Sequence, residues 1–186
     1  MANKVAAMIG CAPCWGNDLE RLISFCPDFD IFAIGLDCPY KSRIDYFVTY
    51  HIEDIEAYKN KRMKERLSLD YKVISHTNDF TKYCRERNKK AKWANTNVDI
   101  VYPHQAPSGS SSLLGTKAAL LKLGYNKVVL IGCPMDTGSI ENKDKSYSVF
   151  RKGWLHFKSD LIGKVKSMSG WTKELLGEPT KEWIEK

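Results

Sequence analysis

The stretch that decides the fold is HQAPSGSSSLLGTKAALLKLGYNKVVLIGCPMD, residues 104–136. It begins with a polar loop rich in serine, continues through an Ala- and Leu-rich run and ends in a short apolar run at residues 128–131. Residues 111–123 are predicted to form a helix closed by Gly124, because glycine tolerates the left-handed conformation that ends helices. Residues 127–131 are predicted to form a buried strand, after which Gly132 and Asp136 follow.

The rest of the chain continues this alternation of helices and strands. Apolar runs predict further strands at residues 4–10, 30–34, 46–50, 73–75 and 99–102, and residues 165–166 form a short segment between two predicted helices. Helical spacing and capping residues predict helices at residues 17–26, 52–66 and 148–162 and from residue 172. We therefore expect an α/β fold with a single doubly wound, mainly parallel sheet and helices on both faces. Ligands of such sheets bind beyond the carboxyl ends of the strands, where the strand order switches.

Length and composition indicate one globular domain. A chain of 186 residues, 43% of them apolar and 27% charged, is long enough for one ordinary domain and too short for two. We expect a single domain over residues 1–186, with a helical C-terminal part, about residues 147–186, packed on it. No apolar stretch reaches membrane-spanning length, and the N-terminus lacks signal-peptide anatomy, so a cytoplasmic protein is expected.

The charge balance favours anionic partners without choosing among them. Lys and Arg number 29 against 22 acidic residues, a formal net charge of +7. Nucleotides, phosphosugars and nucleic acid all fit this balance.

The serine-rich loop has the chemistry of an anion site. The first N–H groups of a helix have no intrahelical partner, and the helix dipole places partial positive charge there. Glycine lets the main chain approach a ligand closely, and hydroxyls add adjustable hydrogen bonds. The candidate residues of this serine–glycine loop are Ser108, Gly109, Ser110, Ser111 and Ser112.

Several motifs together resemble a known superfamily. A first strand leads into a Gly-x-x-Pro loop, a later strand contains Asp-Tyr-Phe-Val, and residues 108–136 follow the pattern S-G-S-S-S-L-x-x-x-x-A-A-x-x-x-L-G-Y-x-K-V-V-L-I-G-x-x-x-D. The chain resembles the sialyltransferase-like superfamily, which includes bacterial sialyltransferases, the motility accessory factor glycosyltransferases and the MptE-like 6-hydroxymethylpterin diphosphokinases. The resemblance covers most of the chain in order and is sharpest over residues 108–136.

The resemblance implies a Rossmann-like domain that binds a nucleotide or nucleotide sugar, such as a cytidine monophosphate sugar, and transfers the sugar to a hydroxyl acceptor on a glycan or other molecule. It implies no further cofactor. The facing loop would contribute Gly10, Cys11 and Pro13, where Cys11 replaces the family's asparagine. His156 is the candidate base, as the histidine after the last main strand, and Asp136 and Asp37 would hold hydroxyl groups at the rim.

Further histidines and a second enzyme class stay open. His51, His76 and His104 lie near predicted strand ends and are candidates to line the cleft. A pyrophosphate-transferring enzyme of the pterin kinase kind would need Mg²⁺ held by carboxylates such as Asp37 and Asp136. A binding protein without activity is also compatible with the missing asparagine.

Two other classes rest on the cysteines and on a basic run. Cys11 and Cys14 form a C-x-x-C motif after a strand, which suggests redox chemistry or, with Cys38 and Cys133, a zinc site. The basic run RERNKKAK, residues 85–92, suggests contact with nucleic acid, although no known nucleic-acid-binding motif accompanies it.

Overall fold

The protein contains one seven-stranded sheet. The computed structural model describes residues 3–79, 97–103, 110–136 and 144–186, the last range with side chains from Tyr147 onward. The strands are β1 Val5–Ile9, β2 Asp30–Ile34, β3 Tyr46–Val48, β4 Lys72–Ser75, β5 Ile100–Val101, β6 Lys127–Ile131 and β7 Val165–Ser167. Every neighbouring pair is parallel, in the order β5-β4-β3-β2-β1-β6-β7, which confirms the predicted parallel α/β fold.

Seven helices are seen in the described part of the chain. They are α1 Trp15–Ile23, α2 Asp54–Lys64, α3 Ser111–Leu121, α4 Asp144–His156, α5 Lys158–Leu161, α6 Gly170–Leu176 and α7 Lys181–Glu185. The prediction of one helix over residues 148–162 was wrong in detail. Helix α4 starts earlier, and the helical conformation is interrupted at Phe157, before α5 begins. The predicted terminal helix is likewise two, with Gly177 at φ +86° separating α6 from α7.

The helices cover both faces of the sheet. Alternate residues of β1 point to opposite sides: Ala7 belongs to a core cluster with α1, α2 and α7, and Met8 to a cluster with α3, α4, α5 and α6. Helix α3 approaches the sheet closely at Gly115, where a Cβ would stand 3.2 Å from Val48 and 3.3 Å from Met8. A glycine at this position therefore lets α3 lie directly on the centre of the sheet.

The strand order reverses beside β1. Strands β2 to β5 are added one after another on one side of β1. The chain then passes through α3 and places β6 on the other side of β1. The carboxyl ends of β1 and β6 therefore flank the switch point at which open α/β sheets bind ligands. Among the described helices, none has the length and apolar character needed to cross a membrane.

Candidate functional site

A cavity of about 470 Å³ lies at the carboxyl ends of β1, β2, β3 and β6, within the size range of small-molecule sites. We call it the carboxyl-edge cavity. Its described lining residues are Gly10, Cys11, Ile34, Gly35, Leu36, Asp37, His51, Asp54, Ser110, Ser111, Ser112, Gly132, Cys133, Pro134, Met135, Tyr147 and Phe150. The cavity thus occupies the switch point between β1 and β6.

The N-terminus of α3 opens onto this cavity. Ser110 is the N-cap residue, and its hydroxyl oxygen accepts a long hydrogen bond of 3.5 Å from the N–H of Leu113. The N–H groups of Ser111 and Ser112 make no hydrogen bond to any residue that the structure describes. Two backbone donors and the positive end of the α3 dipole therefore face the cavity.

The serine hydroxyls hold the site together as well as lining it. The Oγ of Ser111 accepts a hydrogen bond of 2.9 Å from the N–H of Tyr50, which follows β3. The Oγ atoms of Ser110 and Ser112 lie 2.8 Å apart. These contacts tie α3 to the end of β3. Ser108 and Gly109, the other two candidates in the loop, lie outside the described residues.

Glycine at the exits of β1 and β6 allows the two strand ends to pack tightly. A Cβ on Gly10 would lie 2.5 Å from the carbonyl oxygen of Gly132 and 2.6 Å from Sγ of Cys133. Gly132 itself has φ +58°, and its Cβ would lie 2.7 Å from Cβ of Trp15. Gly10 lines the cavity as expected, and these distances show that the close approach of neighbouring backbone also requires glycine there.

A buried carboxylate holds the loop after β6. Asp18, 3% exposed in the first turn of α1, accepts hydrogen bonds through Oδ2 from the N–H of Gly132 at 2.9 Å and from the hydroxyl of Ser169 at 2.7 Å. The chain segments after β6 and β7 are thereby fixed to α1. The local sequence around Asp18 does not indicate this role, because its two partners are distant along the chain.

The predicted acids have different positions. Asp37 is exposed and lines the cavity. Asp136 is absent from the described lining. Its Oδ1 accepts a hydrogen bond of 2.8 Å from the N–H of Trp171 in α6 and lies 3.9 Å from the guanidinium of Arg151. Asp54 at the start of α2 lines the cavity although the sequence did not single it out. Pro13 is exposed and is also absent from the described lining.

The histidines are also distributed differently from expectation. His156 is exposed at the end of α4, edge-on to Phe157, and does not line the carboxyl-edge cavity in the described residues. His51 does line it, with Nδ1 at 3.7 Å from Oε1 of Glu53. His76 stacks on Tyr50 with ring centroids 4.1 Å apart. His104 lies outside the described residues.

The four thiols lie within electrostatic reach of one another, since Cys11, Cys38 and Cys14 each contribute, after burial, to raising the pKa of Cys133. Cys11 and Cys133 line the cavity, whereas Cys38 lines a separate small hollow. Cys14 lies with Sγ 3.3 Å from the hydroxyl of Ser169, and burial raises the pKa of its thiol, the opposite of activation. The described residues contain no group of three or more His, Cys, Asp or Glu side chains that could hold a metal ion.

The described cavity wall has an unusual charge pattern. It contains Asp37 and Asp54 and no lysine or arginine. On one side α4 adds Tyr147 and Phe150, which the sequence did not suggest. The basic run at residues 85–92 lies outside the described residues.

Comparison with known proteins gave no match: no family model, no curated protein and no solved structure is similar to this chain. What the fold and the site define is an α/β protein with an all-parallel sheet and a cavity at its topological switch point.

Proposed function

We propose that the protein binds a nucleotide or nucleotide sugar in the carboxyl-edge cavity and transfers the sugar to a hydroxyl acceptor. The observation that carries the proposal is the start of α3: the N–H groups of Ser111 and Ser112 have no acceptor in the described chain and lie at a cavity of about 470 Å³. Unpaired amides at a helix N-terminus favour a phosphate group. The sequence resemblance to the sialyltransferase-like superfamily supports the same ligand class.

The charge of the cavity favours a ligand with a single phosphate. Among the described lining residues only backbone amides offer positive character, and Asp37 and Asp54 would repel additional phosphate groups. The same two carboxylates suit the hydroxyl groups of a ribose or sugar, which donate hydrogen bonds to them. A nucleoside monophosphate sugar combines one phosphate with many hydroxyls.

His51 replaces His156 as the proposed general base. A base must lie within reach of the acceptor hydroxyl, and His51 lines the cavity whereas His156 does not. The carboxylate of Glu53, 3.7 Å from Nδ1 of His51, would orient the ring and stabilise the imidazolium that forms when the acceptor loses its proton. The proton moves from the acceptor hydroxyl to the imidazole, the acceptor oxygen bonds to the sugar, and the nucleotide leaves with its phosphate.

Ligand binding is tested by thermal denaturation with cytidine, uridine, guanosine and adenosine mono- and triphosphates, each with and without Mg²⁺. We expect one monophosphate to stabilise the protein without Mg²⁺, by about 2.7 kcal/mol at a hundred times its dissociation constant. No stabilisation by any nucleotide overturns the proposal. Stabilisation only by a triphosphate with Mg²⁺ would replace it with the pyrophosphokinase alternative.

A pair of aspartate variants locates the ligand. Asp54→Asn should weaken binding of the stabilising nucleotide by about tenfold, since a hydrogen bond to a charged group is lost. Asp160→Asn is the matched control, because Asp160 lines a different cavity on α5. Equal affinities for the two variants would place the nucleotide elsewhere.

A pair of histidine variants tests the base. With the sugar donor identified from the stabilising nucleotide, His51→Gln should slow donor turnover by roughly 10²-fold or more while leaving its dissociation constant nearly unchanged. His156→Gln should turn over like the original protein, because its imidazole is outside the described wall of the cavity. The opposite result would restore His156 as the base.

A further inference from the structure

A second cavity lies at the opposite edge of the sheet. It has a volume of about 240 Å³ and is located at the amino ends of β6 and β7, beside the last turns of α3. We call it the amino-edge cavity. Its described lining residues are Lys117, Leu120, Leu121, Tyr125, Asn126, Phe157, Asp160, Leu161 and Lys164.

The polar group of interest in its wall is the side-chain amine of Lys117. Lys117 is only 8% exposed, and no described residue forms a hydrogen bond or an ion pair within 4 Å with its Nζ. The Nζ stands over the ring of Phe157, 3.4 Å from the centroid. A cation–π contact compensates part of the cost of burying an ammonium group and provides no hydrogen-bond acceptor.

The other polar groups of the cavity have partners or lie at its rim. The hydroxyl of Tyr125 donates to Asp30, and Oδ1 of Asn126 accepts from the N–H of Lys4. Lys164 and Asp160 are exposed at the rim. With Lys117 and Lys164 against Asp160, the described wall has one excess positive charge, which favours an anion.

The remaining wall is apolar and incompletely covered. Phe157 and Leu161 are buried, whereas Leu121 is 65% exposed. An apolar group bound here would cover Leu121, and the volume equals that of roughly eight water molecules, so the ligand is small.

We propose that the amino-edge cavity binds a small amphipathic carboxylate, whose carboxylate pairs with Nζ of Lys117 and whose acyl or aryl body packs against Phe157, Leu121 and Leu161. The carboxylate supplies a charged acceptor for the Lys117 amine, which the ring of Phe157 cannot do. The proposal is independent of the nucleotide site, since the described linings of the two cavities share no residue.

Calorimetric titration of the full chain with octanoate, octanol and octylamine tests the proposal, because these probes share one apolar body. Octanoate should bind at least about tenfold more tightly than octanol, as expected for a hydrogen bond to a buried charge, and octylamine should bind most weakly. Affinity should rise roughly fourfold per methylene from butyrate to octanoate and then level off as the cavity fills. Equal binding of octanoate and octanol, or no binding of any carboxylate, overturns the proposal.

Two lysine variants that each remove one positive charge distinguish a specific site from a general effect of net charge. Lys117→Met should abolish the preference for octanoate over octanol, whereas Lys158→Met, an exposed position outside the cavity lining, should preserve it. Asp160→Asn should tighten octanoate binding, because a like charge leaves the rim. If the asparagine variant does not bind octanoate more tightly, the bound carboxylate does not lie beside Asp160 and the proposal fails.

A readout on the unmodified protein does not depend on the folding of any variant. Reductive methylation with formaldehyde and a borohydride reagent, followed by peptide mass spectrometry, measures the accessibility of each lysine amine. Octanoate should protect Lys117 and leave Lys158 unchanged, and octanol should protect neither. Protection of both lysines, or of neither, by octanoate contradicts the proposed site.

Discussion

The two ends of α3 meet two cavities that present positive charge in different ways. At the carboxyl edge the donors are backbone N–H groups of Ser111 and Ser112, fixed by helix geometry. At the amino edge the donor is the side-chain amine of Lys117, held over an aromatic ring. The first arrangement has a small free-energy cost, because every helix has unpaired N–H groups at its start. The second has a larger free-energy cost, because it keeps a charged group partly out of water. A ligand would relieve the second arrangement more than the first.

The two edges also differ in how tightly their loops pack, and glycine substitutions measure the difference. Gly132 at the carboxyl edge and Gly124 near the amino edge both have positive φ, +58° and +72°. A Cβ on Gly132 meets Trp15 at 2.7 Å, whereas a Cβ on Gly124 meets nothing within 4 Å. Gly132→Ala should therefore cost about 3 kcal/mol, from backbone strain and overpacking, and Gly124→Ala about 1 kcal/mol, from strain alone. Urea unfolding measures both, and equal losses would show that the loop after β6 relaxes freely.

Carboxylates that accept backbone N–H groups provide a second comparison of the edges. Asp18 is 3% exposed and holds Gly132 and Ser169, whereas the exposed Asp99 near the amino edge accepts, among the described residues, one hydrogen bond of 2.7 Å from the N–H of Val73. Asp18→Ala should cost about 2 kcal/mol and Asp99→Ala about 1 kcal/mol, since loss of a buried partner leaves donors unsatisfied. Asp18→Ala should also weaken nucleotide binding, because Gly132 lines the carboxyl-edge cavity. Denaturant unfolding and thermal shift with nucleotide check these two effects, and unchanged nucleotide affinity would separate this loop from the site.

The sequence predicted the sheet better than the site, for a physical reason. Buried parallel strands are short apolar runs, and the segments that became β1, β2 and β6 were recognisable from local pattern alone. The serine-rich start of α3 was also recognisable from local pattern, because Ser110 caps the helix through a contact with Leu113, only three residues later.

The other site residues depend on contacts between distant segments. His156 has the residue type of a base, but α4 ends with its imidazole exposed beside Phe157. Asp136 follows β6 as a rim acid would, but α6, more than thirty residues later, places the N–H of Trp171 against its carboxylate. Lys117 has apolar helix neighbours, and only the folded chain shows that its amine lies over the ring of Phe157, forty residues later.

The smallest expected effect tests whether burying Lys117 destabilises the empty protein. Burial lowers the pKa of Lys117 from the ordinary value of 10.5, and the nearby carboxylate of Asp160 opposes this shift. Below the lowered pKa the folded protein bears the cost of a partly desolvated ammonium, so Lys117→Met should raise the free energy of unfolding by about 1 kcal/mol at pH 7. Between the lowered pKa and 10.5 the unfolded chain binds more protons than the folded one, so the original protein gains stability with rising pH.

The advantage of Lys117→Met should therefore shrink as the pH rises toward 10.5, whereas Lys158→Met should stay within about 0.5 kcal/mol of the original protein throughout. Urea unfolding of the three proteins between pH 7 and 10.5, without added ligand, measures the difference. Octanoate at neutral pH should remove the advantage in the same way, by supplying the missing acceptor. A stability loss in Lys117→Met at pH 7 would mean that the contact with Phe157 already repays the burial of the amine, and the two ends of α3 would then differ less than their donors indicate.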